Sequence, residues 1–476
     1  MRRNAAFGTR TASHTRLRGA GRFGAVIPIV TPAEMAAVDA AAPEPVQVLI
    51  GRAGSAVAWA ARRMLGGTYG RTVHLIAGKG NNGNDGRVAA DRLRRWGVHV
   101  EVHGADACPS VLDPADLVND AAYGTGFPGE WWAPRVGATP VLAVDIPSGV
   151  DGLTGAAGRG VLPADRTVTF AALKPGLLFG PGRWLAGGVD VADIGLDVGP
   201  ATTNFVDGVD VSRWWRPRPP GAHKWSRAVR VIAGSPGMTG AGHLVAASAH
   251  RAGAGMVTLS SPGTDADAPV EVVTKPLDGS DWAGAVLDDL DRYHAVVVGP
   301  GLGRHDDTVA SVRHLVVESP LPVVVDGDGL FALAWGSHDA ATLLRRRRGV
   351  TVLTPHDGEY GLLAGERPGP DRIDAARQLA AATGSVVLLK GPTTVVAGPD
   401  GDVRVVTAAD ERLATAGTGD VLSGIIGAIV ATGMPALHAA TSGAWLHGAA
   451  ARRGPSVGLV AGDVVDELPG VLEELT

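Results

Sequence analysis

Val73-His74-Leu75-Ile76-Ala77-Gly78-Lys79-Gly80-Asn81-Asn82-Gly83-Asn84-Asp85-Gly86 is the stretch that decides the fold of the first half of the chain. Residues 73–77 read as a short buried strand. The glycine–asparagine run ends it, and helical spacing continues from Arg87 to Arg95. A strand, a glycine-rich turn and a helix start together make an anion cradle. Glycine reaches positive φ and permits close backbone approach, while the helix N-terminus offers free N–H groups. The spacing is not the G-x-G-x-x-G dinucleotide fingerprint. Asn81, Asn82 and Asp85 add side-chain oxygens, which suit a ribose, an amide or a hard cation better than phosphate alone. Many βα turns are glycine-rich for packing only, so this loop alone names no function.

Strand-like runs recur on either side, at 98–102, 140–145, 295–298, 322–326 and 386–389, between Ala/Arg/Leu-rich helical segments. That alternation predicts an α/β protein with parallel sheets covered on both faces. A length of 476 residues implies two or three domains. The expected boundary is Ser212–Ala222, with three prolines in SRWWRPRPPGA and no apolar periodicity, a stiff linker whose Trp214 and Trp215 pin it to one domain. The expected organisation is a disordered tail at 1–30, a three-layer αβα domain at 31–211, the linker at 212–222 and a second α/β domain at 223–476.

Composition narrows the function classes. Glycine (68) and proline (32) make about a fifth of the chain, below the roughly 25–30% of low-complexity disorder. A net charge of −5 offers no global basic field for nucleic acid or an anionic membrane. Cys108 is the single cysteine, so no internal disulfide framework exists, and with scattered histidines there is no zinc spacing. The start carries Arg2, Arg3, Arg10, Arg16, Arg18 and Arg22 without an acid before Glu34. It lacks a secretory apolar core and reads as a tail rather than a transit peptide. Residues 421–451 hold no charged side chain, but glycines and Pro435 interrupt them, which predicts two buried helices rather than a membrane span. The chain reads as cytoplasmic.

Two further loops share the first one's geometry. A strand ending at Asp120 enters AAYGTGFPG, and one ending at Asp145 enters IPSGVDGLTG. Ligands of open α/β sheets bind beyond the carboxyl ends of the strands, so all three loops are expected to line one crevice. An aspartate at a strand end can be a plain cap; three beside glycine-rich loops favour a site. GKGNNGNDG, NDAAYGTGFPG, VDIPSGVDGLTG and TFAALKPG in that order resemble the NAD(P)H-hydrate epimerase domain, over about residues 31–211. The resemblance implies a Rossmann-like domain. It implies that Asn81, Asn82, Gly83, Asn84 and Asp85 hold the damaged cofactor, with Gly124, Thr125, Gly126, Phe127, Pro128, Gly129 and Glu130. It places Asp145 near the reacting carbon and a potassium ion on Asn82, Asp120 and Ser148. Asn84 stands where the family usually has glycine; if that position needs positive φ, asparagine is the least costly replacement. Lys174 is read as steering phosphates or as capping a turn.

In the second half, Leu413-Ala414-Thr415-Ala416-Gly417-Thr418-Gly419-Asp420 leads directly into an apolar helix. Consecutive N–H groups at that helix start form an anion hole, and Asp420, in the first turn, is expected to be kept ionised by the helix dipole. A carboxylate there suits deprotonation of an alcohol for phosphoryl transfer. No Walker lysine follows. Lys390-Gly391-Pro392-Thr393-Thr394, GPGLG at 299–303 and Pro355-His356-Asp357-Gly358-Glu359 each follow a strand. These pieces resemble the ribokinase-like superfamily and, within it, the ADP- or ATP-dependent NAD(P)H-hydrate dehydratase, over about 223–476. The resemblance implies that Lys390, Gly391, Pro392, Thr393, Thr394 and Gly419 bind the nucleotide. Ala241, Gly303, His356 and Asp420 would contact the hydrate. Asp357 replaces a usual proline, and Ala228 replaces a common glycine where it could tighten the loop that closes over the site.

The resemblance therefore implies epimerisation of R and S hydrates of NADH and NADPH (NADHX and NADPHX), and dehydration of the S form by phosphorylation and phosphate elimination. K⁺ would serve the first step and Mg²⁺ the second. ADP is the implied co-substrate, with ATP as the alternative, and relatives are often homo-oligomers. Two rivals stand beside it: a vitamin-precursor kinase using the second domain, which leaves 78–86 without a role, and a first domain that only binds or scaffolds.

Overall fold

The structure is a computed structural model that describes residues 18–19, 27–126, 131–199, 201–336 and 339–476. The tail expected at 1–30 lies mostly outside these. Residue contacts divide the chain into two compact units between Ala201 and Thr202.

The first unit carries helices α1 (Pro32–Ala41), α2 (Val46–Leu65) and α3 (Asn81–Arg95). Its strands are β1 (Thr72–Ala77), β2 (His99–Gly104), β3 (Leu117–Ala121), β4 (Val141–Val144), β5 (Arg166–Phe170) and β6 (Gly188–Ala192). They pair in the order β6-β5-β4-β3-β1-β2, all parallel. Strands are added on one side of β1 and then, from β3 on, on the other, and this switch opens a crevice at the carboxyl ends of β1 and β3. α2 and α3 cover one face: Val57, Ala58, Ala61, Leu75, Ala89 and Leu93 share a core from which solvent is nearly excluded. Each large aliphatic side chain so buried stabilises the unit by about 1.5–3 kcal/mol.

The glycine run is tighter than the sequence suggests. Helix α3 begins at Asn81, so Asn81–Gly86 forms its first turns and only Gly78–Gly80 is loop. None of the four glycines has positive φ. They permit close approach instead: a Cβ on Gly78 would lie 1.9 Å from the Ala122 carbonyl oxygen, and one on Gly83 would lie 2.1 Å from the Gly78 oxygen. Asn84 is ordinary helix, so the expected need for positive φ there is not met; its Oδ1 accepts from Arg87 Nη1 at 3.3 Å.

The second unit contains β7 (Thr203–Phe205), β8 (Ala228–Ile232), β9 (Met256–Ser260), β10 (Val273–Thr274) and β11 (Ala295–Val298). It continues with β12 (Val323–Val325), β13 (Thr351–Leu353), β14 (Val386–Leu389), β15 (Thr394–Ala397) and β16 (Val403–Val406). The order is β10-β9-β8-β11-β12-β13-β14-β15-β16-β7. Pairing is parallel except for the β14–β15–β16 meander. Helices α4 (Thr239–Arg251), α5 (Asp357–Ala364), α6 (Thr418–Val430), α7 (Ala436–Arg453) and α8 (Ala461–Leu475) complete it. The uncharged run at 421–451 is accounted for by α6 and α7, parted by the turn before Pro435. Gly424 brings α6 against α4, since a Cβ there would lie 2.2 Å from the Val245 oxygen, and Gly427 brings it against Val297 of β11. Among the described residues no helix is long and apolar enough to cross a membrane.

The Pro-rich segment is not a free spacer. A short helix at Gly208–Trp214 precedes it, Ser212 Oγ donates to the Leu475 carbonyl at 2.7 Å, and Trp214 stacks on His438 with centroids 4.1 Å apart. Arg227 Nη2 donates to the carbonyls of Arg216 and Pro217. Residues 212–222 are thus held on the second unit, and the division falls before them. Ala228 opens β8 with extended φ −84, ψ 137, at the amino end of a parallel strand, so it does not tighten a loop over the site.

Candidate active sites

The crevice of the first unit is a cavity of about 610 Å³ lined from three directions. The first turns of α3, after β1, supply Asn81, Asn82 and Asp85, the loop after β3 supplies Gly124, Thr125 and Gly126, and Asp145 follows β4. Phe127, Pro128, Gly129 and Glu130 fall outside the described residues; Gly83 and Asn84 belong to the helix but are not cavity-lining.

Asp145 adopts φ +66, a left-handed conformation that costs a non-glycine residue energy and persists only where its surroundings enforce it. What enforces it is Lys174, whose side chain is 2% exposed. Its Nζ donates to Asp145 Oδ1 at 2.7 Å, to Thr169 Oγ1 at 2.9 Å and to the Phe170 carbonyl at 2.9 Å. Thr169 Oγ1 also reaches Asp145 Oδ1 at 3.0 Å. Lys174 therefore neither caps a turn nor reaches out for phosphate; all three of its protons are committed around Asp145. Three further acids line the cavity, Asp39, Glu44 and Asp85. Burial, then Asp145 and Asp39, push Asp85 up to about 8, so it carries a proton at neutral pH; burial likewise raises Asp39.

Beneath the cavity lies a buried polar cluster. Asp120 is fully buried and accepts from Ser148 N at 2.9 Å, Ser148 Oγ at 2.6 Å and Ala122 N at 3.3 Å. No ion pair to it is found among the described residues, and burial raises its pKa despite those donors. Both side-chain atoms of Asn82 are buried without a partner. The unpartnered Asn82 amide oxygen and the uncompensated carboxylate of Asp120, with the Ser148 hydroxyl, form a hard oxygen donor set that fits an alkali cation.

In the second unit, Gly417 takes φ +88 as the cap of α6, and Thr418 donates its Oγ1 proton to the Leu413 carbonyl at 2.7 Å and its N–H to the Thr415 carbonyl at 3.4 Å; the first-turn N–H groups that follow have no intrahelical acceptor and suit an anion cradle. Gly419 borders Lys390: a Cβ on it would sit 3.6 Å from Nζ. Lys390 Nζ donates to Asp326 Oδ1 at 2.8 Å and lies 3.5 Å from Glu359 Oε2. Ser423 Oγ closes the other side of Asp326 at 2.5 Å. Asp420 is thereby left without the cation. Burial, together with Asp326, Asp328 and Glu359, pushes it up to about 7 against the opposing pull of Lys390. The expectation that the helix dipole keeps Asp420 ionised fails, because desolvation and three neighbouring acids outweigh a dipole worth about 0.3–2 kcal/mol.

His356 caps α5 and accepts from the N–H groups of Gly358 and Glu359, while Glu359 Oε2 accepts from His356 N at 2.8 Å. That box aims Glu359 at Lys390. Gly303 N–H donates to Asp328 Oδ2 at 2.9 Å, and Ala241 packs under neighbouring Gly301. In the Lys390–Thr394 loop, Lys390 itself is tied to Asp326 and Glu359, and its carbonyl accepts from Arg372 Nη2 at 2.8 Å. Arg372 Nη1 in turn pairs with Asp357 Oδ1 at 2.8 Å. Burial pushes His447, from α7, down to about 4, so a neutral imidazole stands beside the Thr418 backbone. Sequence reasoning missed Asp326, Asp328, Lys174's role and His447. Asp326 ends the 322–326 run as Asp120 and Asp145 end theirs, and that parallel was the available signal.

Fold and sites together define a two-domain α/β enzyme with an acid-lined cavity in one half and a phosphoryl-transfer cradle in the other. A family model described as NAD(P)H-hydrate dehydratase matches residues 229–466, and one described as YjeF-related protein N-terminus matches residues 46–123 and 104–176. The bifunctional NAD(P)H-hydrate repair enzyme of Moorella thermoacetica is 36% identical over 518 residues, covering 94% of this chain and 97% of that one. The Mycobacterium tuberculosis enzyme of the same name is 39% identical over 407 residues, 79% and 82% of the two chains. The structure of the ADP/ATP-dependent NAD(P)H-hydrate dehydratase of Bacillus subtilis, co-crystallised with ATP/Mg²⁺, is 28% identical with a TM-score of 0.50 and covers 57% of this chain and 98% of that one. A ribokinase-like protein of Enterococcus faecalis, 18% identical with a TM-score of 0.50, shares the fold. The chain belongs to the family of bifunctional NAD(P)H-hydrate repair enzymes.

Proposed function

We propose that the first unit interconverts the R and S hydrates of NADH and NADPH, and that the second dehydrates the S hydrate at the expense of ADP. The observation that carries the reading is the presence, in one chain, of a lysine-fixed carboxylate in an acid-lined cavity and a helix-start cradle with its own proton-accepting aspartate. The rival kinase reading uses the second feature and leaves the first idle.

In the first unit the hydrate's ring nitrogen supplies the electron pair that expels the neighbouring hydroxyl. Asp85 holds a proton at neutral pH and can give it to the departing oxygen. Asp145, fixed by Lys174 and Thr169, stabilises the positive ring that results and takes the proton from water returning on the other face. Such acid/base help is worth ~10²–10⁴ in rate. Asn82, Asp120 and Ser148 would hold K⁺, whose charge would offset the buried Asp120 and fix the loop after β3.

In the second unit Asp420 takes the proton of the S hydrate's hydroxyl. The freed oxygen attacks the terminal phosphorus of ADP, AMP departs, and the ring nitrogen then expels phosphate to leave NADH or NADPH after loss of a ring proton. The free N–H groups at the start of α6 would meet the equatorial oxygens during transfer, and Lys390 steadies Asp326 and Glu359. The negative charge of Asp326, Glu359 and Asp420 exceeds that of Lys390 and fits Mg²⁺, which supplies charge neutralisation during transfer. We further propose a cytoplasmic homo-oligomer that engages neither nucleic acid nor membrane.

The test is recovery of dihydronicotinamide absorbance from a mixture of both hydrate epimers with Mg²⁺, K⁺ and either ADP or ATP. Full recovery with AMP and phosphate released supports both activities and ADP. Recovery that stalls once the S form is consumed removes the epimerase. No recovery with either nucleotide sinks the reading and favours a kinase that leaves a stable phosphorylated product.

A further inference from the structure

Strands β1 and β2 lie at one edge of the first sheet, with His74 opposite Glu101 and Ile76 opposite His103. His99, Glu101 and His103 alternate along β2 and so share one face. His74 is 2% exposed, and its Nε2 lies 3.1 Å from the Asp113 carbonyl, which accepts the Nε2 proton and leaves a lone pair on Nδ1. That Nδ1 faces His103 Nε2 at 3.0 Å and Glu101 Oε2 at 3.5 Å, and the last two atoms are 4.0 Å apart. The other oxygen of Glu101 is 3.4 Å from His99 Nε2. None of these four side chains lines the cavity described above.

We propose that His74 Nδ1, His103 Nε2 and Glu101 Oε2 form a binding site for a divalent transition-metal ion of the zinc class, with water in the fourth position. Tetrahedral bonds of ~2.0–2.1 Å separate neighbouring donor atoms by roughly 3.3–3.4 Å, and the three observed edges straddle that length. Imidazoles with one carboxylate are donors that this metal class prefers. The surroundings are those of a ligand set: the Asp113 carbonyl fixes the His74 tautomer, and His99 steadies the carboxylate. Binding requires the His103 proton to reside on Nδ1. Without metal, His103 Nε2–H donates to His74 Nδ1 instead, so the metal exchanges one hydrogen bond for three ligand bonds. The ion would tie the edge strand β2 to β1. The sequence hides the site because its ligands come from two strands, with spacing unlike any zinc motif.

The test uses the untagged full-length chain, stripped with EDTA and titrated with Zn²⁺ and Co²⁺. One Zn²⁺ per chain with Kd below ~1 μM, a visible Co²⁺ absorption band and a raised thermal midpoint are expected. His103→Gln and Glu101→Gln should each weaken binding at least ~10-fold. Glu101 is half-exposed, so Glu101→Gln remains informative even where His103→Gln fails to fold. Zn²⁺ binding weaker than ~100 μM to the stripped wild-type chain, or unchanged affinity in the Glu101→Gln chain, overturns the proposal.

Discussion

The two units each set a carboxylate at the mouth of a glycine-bearing helix start and bury a lysine nearby, yet they wire the lysine in opposite ways. In the first, Lys174 bonds the aspartate proposed to act, Asp145, and holds it in a strained left-handed backbone. In the second, Lys390 is spent on Asp326 and Glu359, and the acting Asp420 is left to bear burial and three acidic neighbours. One carboxylate is clamped beside a permanent charge; the other is poised to take and lose a proton near neutrality. A group that stabilises a cationic ring gains from the first arrangement, and a base that must deprotonate an alcohol gains from the second.

The strongest way to break this contrast is Asp420→Asn. Dehydration of the S hydrate should fall ~10²–10⁴-fold while epimerisation stays within twofold, followed by absorbance and by epimer separation respectively. A loss under tenfold would leave Asp420 as a cap and remove the contrast. Next in size is Lys174→Met. It leaves Asp145 and Thr169 without their cation in a nearly dry site, where breaking one side of a buried pair costs about 3–5 kcal/mol. The first unit should unfold at lower denaturant concentration and epimerisation should fall, with dehydration of pure S hydrate unchanged.

The contrast also predicts pH limbs of opposite sign. Asp420 must be ionised to act, so dehydration kcat/KM in the free enzyme should fall about tenfold per pH unit below about 7. Asp85 must be protonated to donate, so epimerisation should fall as pH rises through about 8. Stability follows the same group. Folded Asp85 keeps its proton up to about 8, whereas the unfolded side chain loses it near ~3.9. Over that window the folded state binds the extra proton, so stability declines as pH rises and levels off above about 8. Asp85→Asn should flatten that decline in urea melts and slow epimerisation; an unchanged slope would remove Asp85 from the argument.

The parts of this design that were legible in the sequence are local. A helix start written TAGTGDVLSG or a strand ending in aspartate is set by neighbours within a few residues, and parallel strands announce themselves as short β-branched runs. What was not legible depends on distant partners. Lys390 and Asp326 are 64 residues apart and Lys174 and Asp145 are 29 apart, so the balance of burial and charge that raises Asp420 and fixes Asp145 has no local signature. Backbone conformation was misassigned for a related reason. Gly78 is small because the Ala122 carbonyl presses on it from the end of the neighbouring strand, and Gly83 because the Gly78 carbonyl presses on it within the same turn, not because φ is positive. Left-handed backbone falls instead on Asp145, whose side-chain partners Thr169 and Lys174 come from the next strand and the loop after it.

The smallest expected effect tests how far the second unit's network extends. Asp357 is the first residue of α5, it is half-exposed, and it pairs with Arg372, which also donates to the Lys390 carbonyl. Proline is well accommodated at a helix's first position, because the N–H it lacks has no intrahelical partner there, and His356 before it is already extended at φ −82, ψ 174. Asp357→Pro therefore removes the carboxylate while keeping the helix start. A half-exposed ion pair is worth about 0.2–1 kcal/mol, and the Arg372 bond to Lys390 survives its loss. KM for the nucleotide should rise less than about fivefold, with kcat, the pH midpoint near 7 and the melting temperature essentially unchanged. A shift of that midpoint would mean that Arg372 reaches Asp420 through Lys390, and the clamped lysine would then be tunable from the surface.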